Sequence, residues 1–372
     1  MHIQHITLDL EEGGTARALS NIILNDKTNE HSVICLKWAG PAYKKVEHKC
    51  KYIMHLELKN PLFDFIKIIK FTIKANPDLV QTWLYHCDLL GSLVSLFLGY
   101  KGLVWNIRCS LTNKKDFKLK TRLIIRICTL LSYFSPICIV TCSKRSFQDH
   151  KKIGYSKKKL KVIGNGVDTN LFFKDNSLKE RFRSEFNFNQ DELILGMIAR
   201  YDIQKDHDTL FQALSILKKK GKKFKCCLVG LHMDHKNFKL LEVLKKYNID
   251  KEIMLFGSRS DINFFLNGID FNILTSKSEG FPNVILEAMA CGTPCICSDN
   301  SDSKEIIGNS GWIFPVSNYK VLSECIEIAS NETNDIIQQR KLIAINKIKN
   351  EYSVNKMVNE YSALYSSLIN NL

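Results

Sequence analysis

The sequence lacks any apolar run long enough to cross a bilayer as a helix. The longest such run, residues 127–142, is too short and is interrupted by Ser135 and Pro136. We therefore expect a helix leading into a strand here, and no transmembrane segment. The first 14 residues also lack a basic stretch followed by an apolar core, so we expect no secretory signal peptide.

A spaced cysteine framework is absent too. The 13 cysteines are scattered along the chain, without paired Cys-x-x-Cys motifs. The closest group, Cys291, Cys295 and Cys297, lies across a predicted helix end and the strand that follows it. Buried thiols in a reducing cytosol explain this distribution better than a zinc site or disulfides do.

Acidic residues are scarce in the first half of the chain. Residues 1–172 contain 27 Lys and Arg against 13 Asp and Glu, whereas residues 173–372 contain 26 against 25. Nearly all of the net charge of +15 therefore arises in the first half. The cations form two clusters: Lys114, Lys115, Lys118, Lys120, Arg122 and Arg126, then Lys144, Arg145, Lys151, Lys152, Lys157, Lys158, Lys159 and Lys161.

This basic half suits an acidic membrane surface, a phosphorylated lipid or nucleic acid, or it simply keeps the protein soluble. A nucleic-acid partner is the less favoured of these, because the clusters lack the interleaved aromatic residues of a stacking platform. The sequence also contains no zinc or recognition-helix motif.

Strand and helix patterns alternate along the whole chain, which indicates the α/β class. With 372 residues, of which 45% are hydrophobic, the chain is long enough for two domains with their own cores. We expect two Rossmann-like domains facing across a cleft. Residues 169–190 are polar and aromatic, and we interpret them as a surface connection after the first domain.

Residues 270–299 carry the strongest local pattern. The apolar run Phe271 to Leu274 predicts a buried strand, Pro282 suits the first turn of the helix that follows, and a second strand begins at Cys295. The polar loop and the helix N-terminus would favour an anion, while Glu279 and Glu287 could accept hydrogen bonds from hydroxyl groups. For the glutamate pair alone, a solvated helix face with a loop carboxylate is the favoured interpretation.

The string from Ser278 to Asp299, SEGFPNVILEAMACGTPCICSD, resembles the E-x7-E signature of the family 4 glycosyltransferases. The resemblance implies the GT-B fold and a retaining transfer of sugar from a nucleotide-sugar donor. It implies an N-terminal acceptor-side domain over residues 1–165, a donor-binding domain over 166–350, and a last helix over 351–372 that returns to the first domain.

Two cations follow the predicted strand Leu193 to Ile198. Arg200 and Lys205 complement the oxygens of a diphosphate, although surface solubility is the preferred explanation of the two cations without further context. The segment resembles the family's R-x4-K pair, which implies that both neutralise the leaving diphosphate. Asp206 and Asp208 are interpreted as capping and dipole residues of the next helix, not as metal ligands, and we expect no bound metal.

His86 lies between a predicted strand, Leu79 to Trp83, and a predicted helix that begins at Leu89. A lone histidine here is more often structural, but the segment resembles the one whose histidine contacts the transferred sugar. The resemblance further implies sugar contacts for Glu279 and ribose contacts for Glu287. It completes the donor site with Gly13, Gly14, Gly230, Gly257, Gly280, Phe281, Pro282 and Asn283.

These expectations converge on a cytoplasmic hexosyltransferase, peripheral at an acidic membrane. The implied donor is a nucleotide sugar, expected to be UDP-linked, and the implied acceptor is a lipid-linked saccharide of a surface polysaccharide or glycolipid. The family also implies that a phosphate oxygen of the donor helps to deprotonate the acceptor. The alternatives are a GT-B nucleotide-sugar epimerase or hydrolase, a basic nucleic-acid-binding protein, or an inactive scaffold.

Overall fold

The computed structural model describes residues 1–11, 13–111, 117–189 and 191–372. Lys114 and Lys115 of the predicted basic cluster lie outside these residues. The chain forms two compact units: the first comprises Met1–Gly166 and Val354–Leu372, and the second comprises Val167–Ser353. Each unit is an α/β fold around a parallel sheet.

The first unit contains a parallel sheet of seven described strands, in the order β3-β2-β1-β4-β5-β6-β7. The strands are β1 (His2–Asp9), β2 (Glu30–Trp38), β3 (Cys50–His55), β4 (Leu79–Trp83), β5 (Leu103–Ile107), β6 (Cys138–Thr141) and β7 (Leu160–Val162). The helices are α1 (Gly14–Asn25), α2 (Pro41–Glu47), α3 (Pro61–Ala75), α4 (Tyr85–Leu98), α5 (Leu119–Leu131), α6 (Lys144–Lys152) and the last helix, α15 (Val354–Ile369).

Two core clusters hold this unit together, one on each face of the sheet. Helices α1, α2 and α15 pack on one face, and helices α3, α4 and α5 pack on the other. Helix α4 begins at Tyr85, four residues before the predicted start at Leu89, so His86 lies in its first turn. The prediction placed the start too late because Tyr85 to Asp88 do not extend the apolar helical pattern.

The second unit contains a parallel sheet of six described strands, in the order β10-β9-β8-β11-β12-β13. The strands are β8 (Leu193–Ile198), β9 (Phe224–Val229), β10 (Ile253–Leu255), β11 (Phe271–Leu274), β12 (Cys295–Ser298) and β13 (Trp312–Phe314). The helices are α7 (Asn176–Glu185), α8 (His207–Lys219), α9 (Phe238–Lys246), α10 (Ile262–Gly268), α11 (Asn283–Ala290), α12 (Ser303–Ile307), α13 (Tyr319–Asn331) and α14 (Asn334–Glu351). Short 3-10 helices span Ile203–Lys205 and Gly308–Ser310.

The interpretation of residues 169–190 as a surface connection is wrong. They contain α7, whose Phe182 is fully buried. Phe182 packs directly over Gly268 at the end of α10, where a Cβ would lie 2.0 Å from the ring. The polar composition hid this helix, because its buried face consists of little more than Phe182 and Arg183, which contacts Asp270 at 3.0 Å.

All thirteen cysteines are free thiols, and eleven of them are buried. Within the described part of the chain, each helix is either too short or too polar to span a bilayer.

Candidate active site

The strand order of the second unit changes direction at its centre. From β8 the chain builds outward through β9 and β10, and then crosses back to place β11 on the other side of β8. In open parallel sheets, ligands bind in the crevice beyond the carboxyl ends of the strands at such a switch point. Arg200 and Lys205 follow β8, and residues 275–282 follow β11, so both candidate segments lie at this point.

Two hydrogen bonds tie these segments together. The Thr275 hydroxyl donates to the carbonyl of Lys205 at 2.7 Å, and the backbone N–H of Lys277 donates to the carbonyl of Gln204 at 2.8 Å. The loop after β11 therefore fixes the backbone from which the Lys205 side chain extends.

Lys205 and Glu279 form an ion pair at the centre of the site. The Lys205 ammonium lies 2.5 Å from the Glu279 carboxylate, which also accepts a hydrogen bond from the Ser276 hydroxyl at 2.6 Å. The side chains are only 20% and 15% exposed, so solvent screens the pair less than it would screen a surface pair. The structure thus brings together one cation and one carboxylate that the sequence predicted on separate motifs.

Asp206 joins the same two segments in a way that the sequence did not reveal. Its buried carboxylate accepts hydrogen bonds from the hydroxyls of Thr209 and Ser317, and lies 3.4 Å from the Lys277 ammonium. Asp206 is the N-cap residue of α8, as expected, with a left-handed φ of 52°. Its side chain bonds the Thr209 hydroxyl of that helix and the neighbouring segments, and not a backbone N–H of the first turn.

Arg200 is more exposed than Lys205. Its guanidinium Nε lies 3.4 Å from the Asp202 carboxylate, and 57% of the side chain is accessible. Asp202 also accepts the backbone N–H of Gln204 at 2.9 Å, which holds the short 3-10 helix before Lys205. An exposed arginine with one long ion-pair contact can turn toward an incoming anion at small cost.

Helix α11 begins directly after the loop that carries Glu279. Pro282 occupies the N-cap position, so the helix begins one residue later than the predicted first-turn proline implied. Because proline has no side-chain acceptor, no side chain at the N-cap bonds the first turn. The Gly280 carbonyl accepts the Ser301 hydroxyl at 3.1 Å, Phe281 packs against Tyr352, and the Asn283 N–H donates to the Phe281 carbonyl.

Glu287 lies within α11 and is almost fully buried. Burial of the neighbouring Cys291 thiol raises the pKa of that thiol, and the charge of the Glu287 carboxylate raises it further. A carboxylate held on the inner side of a short helix is positioned for directed hydrogen bonds, whereas the alternative of a solvated helix face does not fit its burial.

Gly230 and Gly257 follow the neighbouring strands β9 and β10 and contact each other. The Gly230 N–H donates to the Gly257 carbonyl at 2.7 Å. Gly230 has φ 146°, and a Cβ there would lie 2.1 Å from the carbonyl oxygen of Ala199. Gly230 is therefore required for the close approach of two backbone segments, whatever further role it has toward a ligand.

The candidate residues of the first unit follow its central strands, β1 and β4, which pair in parallel. Gly13 is the N-cap of α1, with Gly14 as the first helical residue, and a Cβ at Gly13 would meet no atom within 4 Å. His86 is exposed in the first turn of α4. Partial burial of its ring, followed by the charge of Lys37, lowers the pKa of His86, which favours the neutral imidazole.

Leu84 precedes that turn with φ 70°, a conformation that leucine rarely adopts. Strain of this kind persists only where the surrounding structure imposes it, and it recurs near functional sites. No sequence signal predicts it, since leucine gives no indication of a positive φ.

Two family models match the chain in succession. The model described as Glycosyltransferase Family 4 matches residues 15–171, and the model described as Glycosyl transferases group 1 matches residues 179–348. The chain belongs to the family 4 glycosyltransferases. This result confirms the family that the sequence indicated.

Similar proteins include EpsF of Bacillus subtilis, which is 24% identical over 257 residues, covering 68% of this chain and 66% of EpsF. The N,N'-diacetylbacillosaminyl-diphospho-undecaprenol alpha-1,3-N-acetylgalactosaminyltransferase of Campylobacter jejuni is 26% identical over 326 residues, covering 84% of this chain and 82% of that enzyme. The crystal structure of Anabaena HepE in complex with UDP-glucose covers 99% of this chain and 100% of HepE, with a TM-score of 0.83 and 20% identity. This likeness confirms the predicted GT-B fold of the glycosyltransferase.

Proposed function

We propose that this glycosyltransferase transfers a hexose from a UDP-sugar to a lipid-linked saccharide acceptor, with retention of configuration at the anomeric carbon. The observation that carries the proposal is the Lys205–Glu279 pair at the switch point of the second sheet. It sets a cation for the diphosphate directly beside a carboxylate for the sugar.

The cations of the site support cleavage of the sugar–phosphate bond. As this bond breaks, negative charge grows on the departing diphosphate, and Lys205 and Arg200 with the N-terminus of α11 would stabilise it. These groups supply the positive charge without a metal, so we propose that no metal is needed. Gly280, Phe281, Pro282 and Asn283 would surround the diphosphate with backbone.

The carboxylates support recognition of the neutral parts of the donor. Glu279 would accept hydrogen bonds from sugar hydroxyls once a diphosphate replaces it beside Lys205, and the buried Glu287 would hold the ribose. Gly230 and Gly257 would face the nucleotide, and the family resemblance also assigns Gly13, Gly14 and His86 to contacts with the donor. The acceptor hydroxyl attacks the anomeric carbon, its proton passes to a phosphate oxygen of the donor, and UDP leaves.

The UDP and the lipid carrier are proposed from similar proteins. HepE binds UDP-glucose, and the Campylobacter jejuni relative acts on a diphospho-undecaprenol-linked sugar according to its name. An acceptor of this kind would hold the protein in the cytoplasm at the membrane face, in the synthesis of a surface polysaccharide or glycolipid. The basic first half of the chain is consistent with such an anionic carrier.

The proposal is tested by incubating the purified protein with a panel of nucleotide sugars and lipid extracts, and by determining the anomeric configuration of the product by NMR. We expect UDP release that depends on acceptor, and a product with the donor's configuration. Inversion at the anomeric carbon would contradict the retaining mechanism. Epimerised or hydrolysed donor without any acceptor product would instead establish the epimerase or hydrolase activity.

Calorimetry tests the assigned residues. We expect Lys205→Ala and Glu287→Ala each to weaken UDP-sugar binding by at least about tenfold, since each removes a charged contact to the donor. Lys219→Ala, at the exposed far end of α8, is the matched control and should bind as the wild type does. Wild-type affinity in both site variants would refute the assignment.

A further inference from the structure

We propose that the outer surface of α3, α4 and α5 in the first unit docks onto an acidic phospholipid bilayer. The proposal rests on the lipid-linked acceptor of the proposed function, and it names the surface that meets the membrane. We call this surface, formed by the solvent-facing residues of these three helices, the docking surface.

Helix α5 is apolar on both of its sides. Its inner side packs Ile125 and Cys128 into the core. Its outer side repeats apolar residues at helical spacing, Leu119, Leu123, Ile127 and Leu130, of which Leu119 is 80% exposed. A surface helix normally presents polar residues to water, so an apolar outer stripe indicates that something other than water covers it.

The apolar character continues across α4 and α3. Leu96 and Phe97 of α4 and Leu62 and Phe63 of α3 are all exposed. These helices are neighbours, because α4 packs against both α5 and α3, and the ring of Phe97 meets Phe65 of α3 edge to face at 6.1 Å. The exposed side chains therefore belong to one layer on the same face of the sheet.

Cations flank this apolar layer, with almost no opposing charge. Residues 117–162 contain twelve Lys and Arg and a single acidic residue, Asp149. Asp149 is buried, where it accepts the N–H of Leu111 and lies 3.2 Å from Arg145. Apolar side chains beside an excess of cations over carboxylates match the two components of an acidic bilayer surface, which offers acyl chains below anionic phosphates.

A cavity of about 260 Å³ lies at the edge of the docking surface, between α5 and the end of α6. Two guanidinium groups and one ammonium group line it, from Arg122, Arg126 and Lys152, together with the apolar Phe117 and Ile153. Arginine forks bind phosphate oxygens in pairs, so this cavity suits the phosphate of one lipid headgroup at the membrane surface.

The charge also distinguishes the bilayer from a second copy of this chain. A two-fold interface brings the same surface against itself, which would place the cations of α5 and α6 against one another. A bilayer that contains acidic lipid instead neutralises them. The observations therefore favour a membrane over self-association.

Co-sedimentation with lipid vesicles tests the proposal. We expect the full-length protein to bind vesicles of phosphatidylcholine mixed with phosphatidylglycerol, and Leu123→Glu to reduce this binding by about tenfold or more. Leu342→Glu is the matched control, because Leu342 lies on α14 of the second unit and is as exposed as Leu123, 60% against 59%. Binding of the wild type equal to that of Leu123→Glu would overturn the proposal.

A charge variant separates the electrostatic contribution to membrane binding from the apolar contribution. Arg126→Gln combined with Lys152→Gln should weaken binding to the mixed vesicles and leave binding to pure phosphatidylcholine unchanged. UDP-sugar affinity, measured in the same samples, should stay at the wild-type value in every variant, so a failed donor assignment and a failed docking surface give different results. A change in oligomeric state on Leu123→Glu, without vesicle binding by the wild type, would identify a protein interface and overturn the proposal.

Discussion

The Lys205–Glu279 ion pair sets the electrostatics of the candidate site before any donor binds. The two residues are 74 positions apart in the sequence, and their charged groups are 2.5 Å apart in the structure. Under the proposed function, a diphosphate would compete with Glu279 for the ammonium of Lys205, and this exchange would free carboxylate oxygens for the sugar. The ion pair therefore holds the ammonium of Lys205 and the carboxylate of Glu279 in position, but Glu279 would compete with a bound diphosphate for Lys205.

The exchange predicts opposite effects of one substitution on binding and on turnover. In Glu279→Gln, the ammonium of Lys205 loses its charged competitor, so UDP should bind at least as tightly as it binds the wild type. Sugar transfer should fall by about a hundredfold, because a charged acceptor of the sugar hydroxyls is lost. Calorimetry with UDP and a transfer assay measure the two quantities. Glu242→Gln, at an exposed position of α9, is the control, and a parallel loss of UDP affinity and turnover would contradict the exchange.

Gly13 offers a substitution whose effect on the fold is small. A Cβ there meets no atom within 4 Å, and the backbone is extended with φ −143°, which alanine adopts freely. We expect Gly13→Ala to change the free energy of unfolding by no more than about 1 kcal/mol, the cost of a poorer N-cap. Donor affinity should nevertheless fall, because the methyl group occupies space at the N-terminus of α1. Unchanged affinity by calorimetry would remove Gly13 from the donor site.

The loops after β8, β9 and β10 show how closely elements approach at the carboxyl edge of the second sheet. Beyond its strand pairing, β9 meets the end of β8 at Gly230, where backbone packs on the carbonyl of Ala199. Any side chain at this point would separate the segments that carry Arg200 and Gly257. The loops therefore depend on one another for their positions.

This close approach predicts a large cost for one methyl group. Gly230→Ala should lower the free energy of unfolding by about 3 kcal/mol or more, because its Cβ would lie 2.1 Å from the Ala199 oxygen. Gly221→Ala is the matched control: Gly221 also has a positive φ, 78°, but open space around it, so the cost should be about 1 kcal/mol. Urea unfolding measures the free energy of unfolding of both variants. An equal loss in Gly230→Ala and Gly221→Ala would show that the contact with the Ala199 carbonyl does not destabilise the Gly230 variant.

Helices and strands with a strong local sequence pattern could be predicted. The elements and contacts that depend on tertiary packing could not. The strands β4, β8 and β11 occur at the predicted residues because short apolar runs are bounded by turns. Helix α7 was missed, since a single buried phenylalanine over Gly268 gives no periodic pattern. In the site, the motifs indicated Lys205 and Glu279 separately. Their contact depends on β8 pairing with β11, with β9 and β10 intervening in the sequence, and so does the Asp206–Lys277 contact.

Across the whole molecule, the two units divide the charge unequally. The net positive charge lies in the first unit, where acidic residues are scarce, while the second unit is nearly neutral and pairs Lys205 and Lys277 with carboxylates around the switch point. This division suits a protein whose first unit meets an anionic surface and whose second unit binds an anionic donor reversibly. Pairing in the second unit limits non-specific anion binding, since each phosphate must compete with a carboxylate.

Both units also contain a buried histidine that links stability to pH. Burial lowers the pKa of His150 in the first unit and of His207 in the second to about 4, from an ordinary value of 6.5. His150 contacts the Tyr85 hydroxyl at 2.7 Å, and His207 packs against Tyr201 and Phe211. Between pH 6.5 and 4 the unfolded chain binds protons at these positions and the folded chain does not, so acidification favours unfolding.

We therefore expect the free energy of unfolding to be highest above about pH 6.5 and to fall as the pH decreases toward 4. At pH 5, each of the two histidines should lower the free energy of unfolding by about 2 kcal/mol. Urea unfolding at a series of pH values measures the slope. His207→Phe keeps an aromatic ring between Tyr201 and Phe211 and removes the titrating group. The slope of the unfolding free energy against pH counts the protons taken up on unfolding, and in this variant it should decrease by up to one proton. His235→Gln, at an exposed position of the same unit, should keep the wild-type slope. A slope unchanged in His207→Phe would show that His207 does not stay neutral in the folded protein, because a group changes the pH dependence of stability only if its protonation differs between the folded and the unfolded chain.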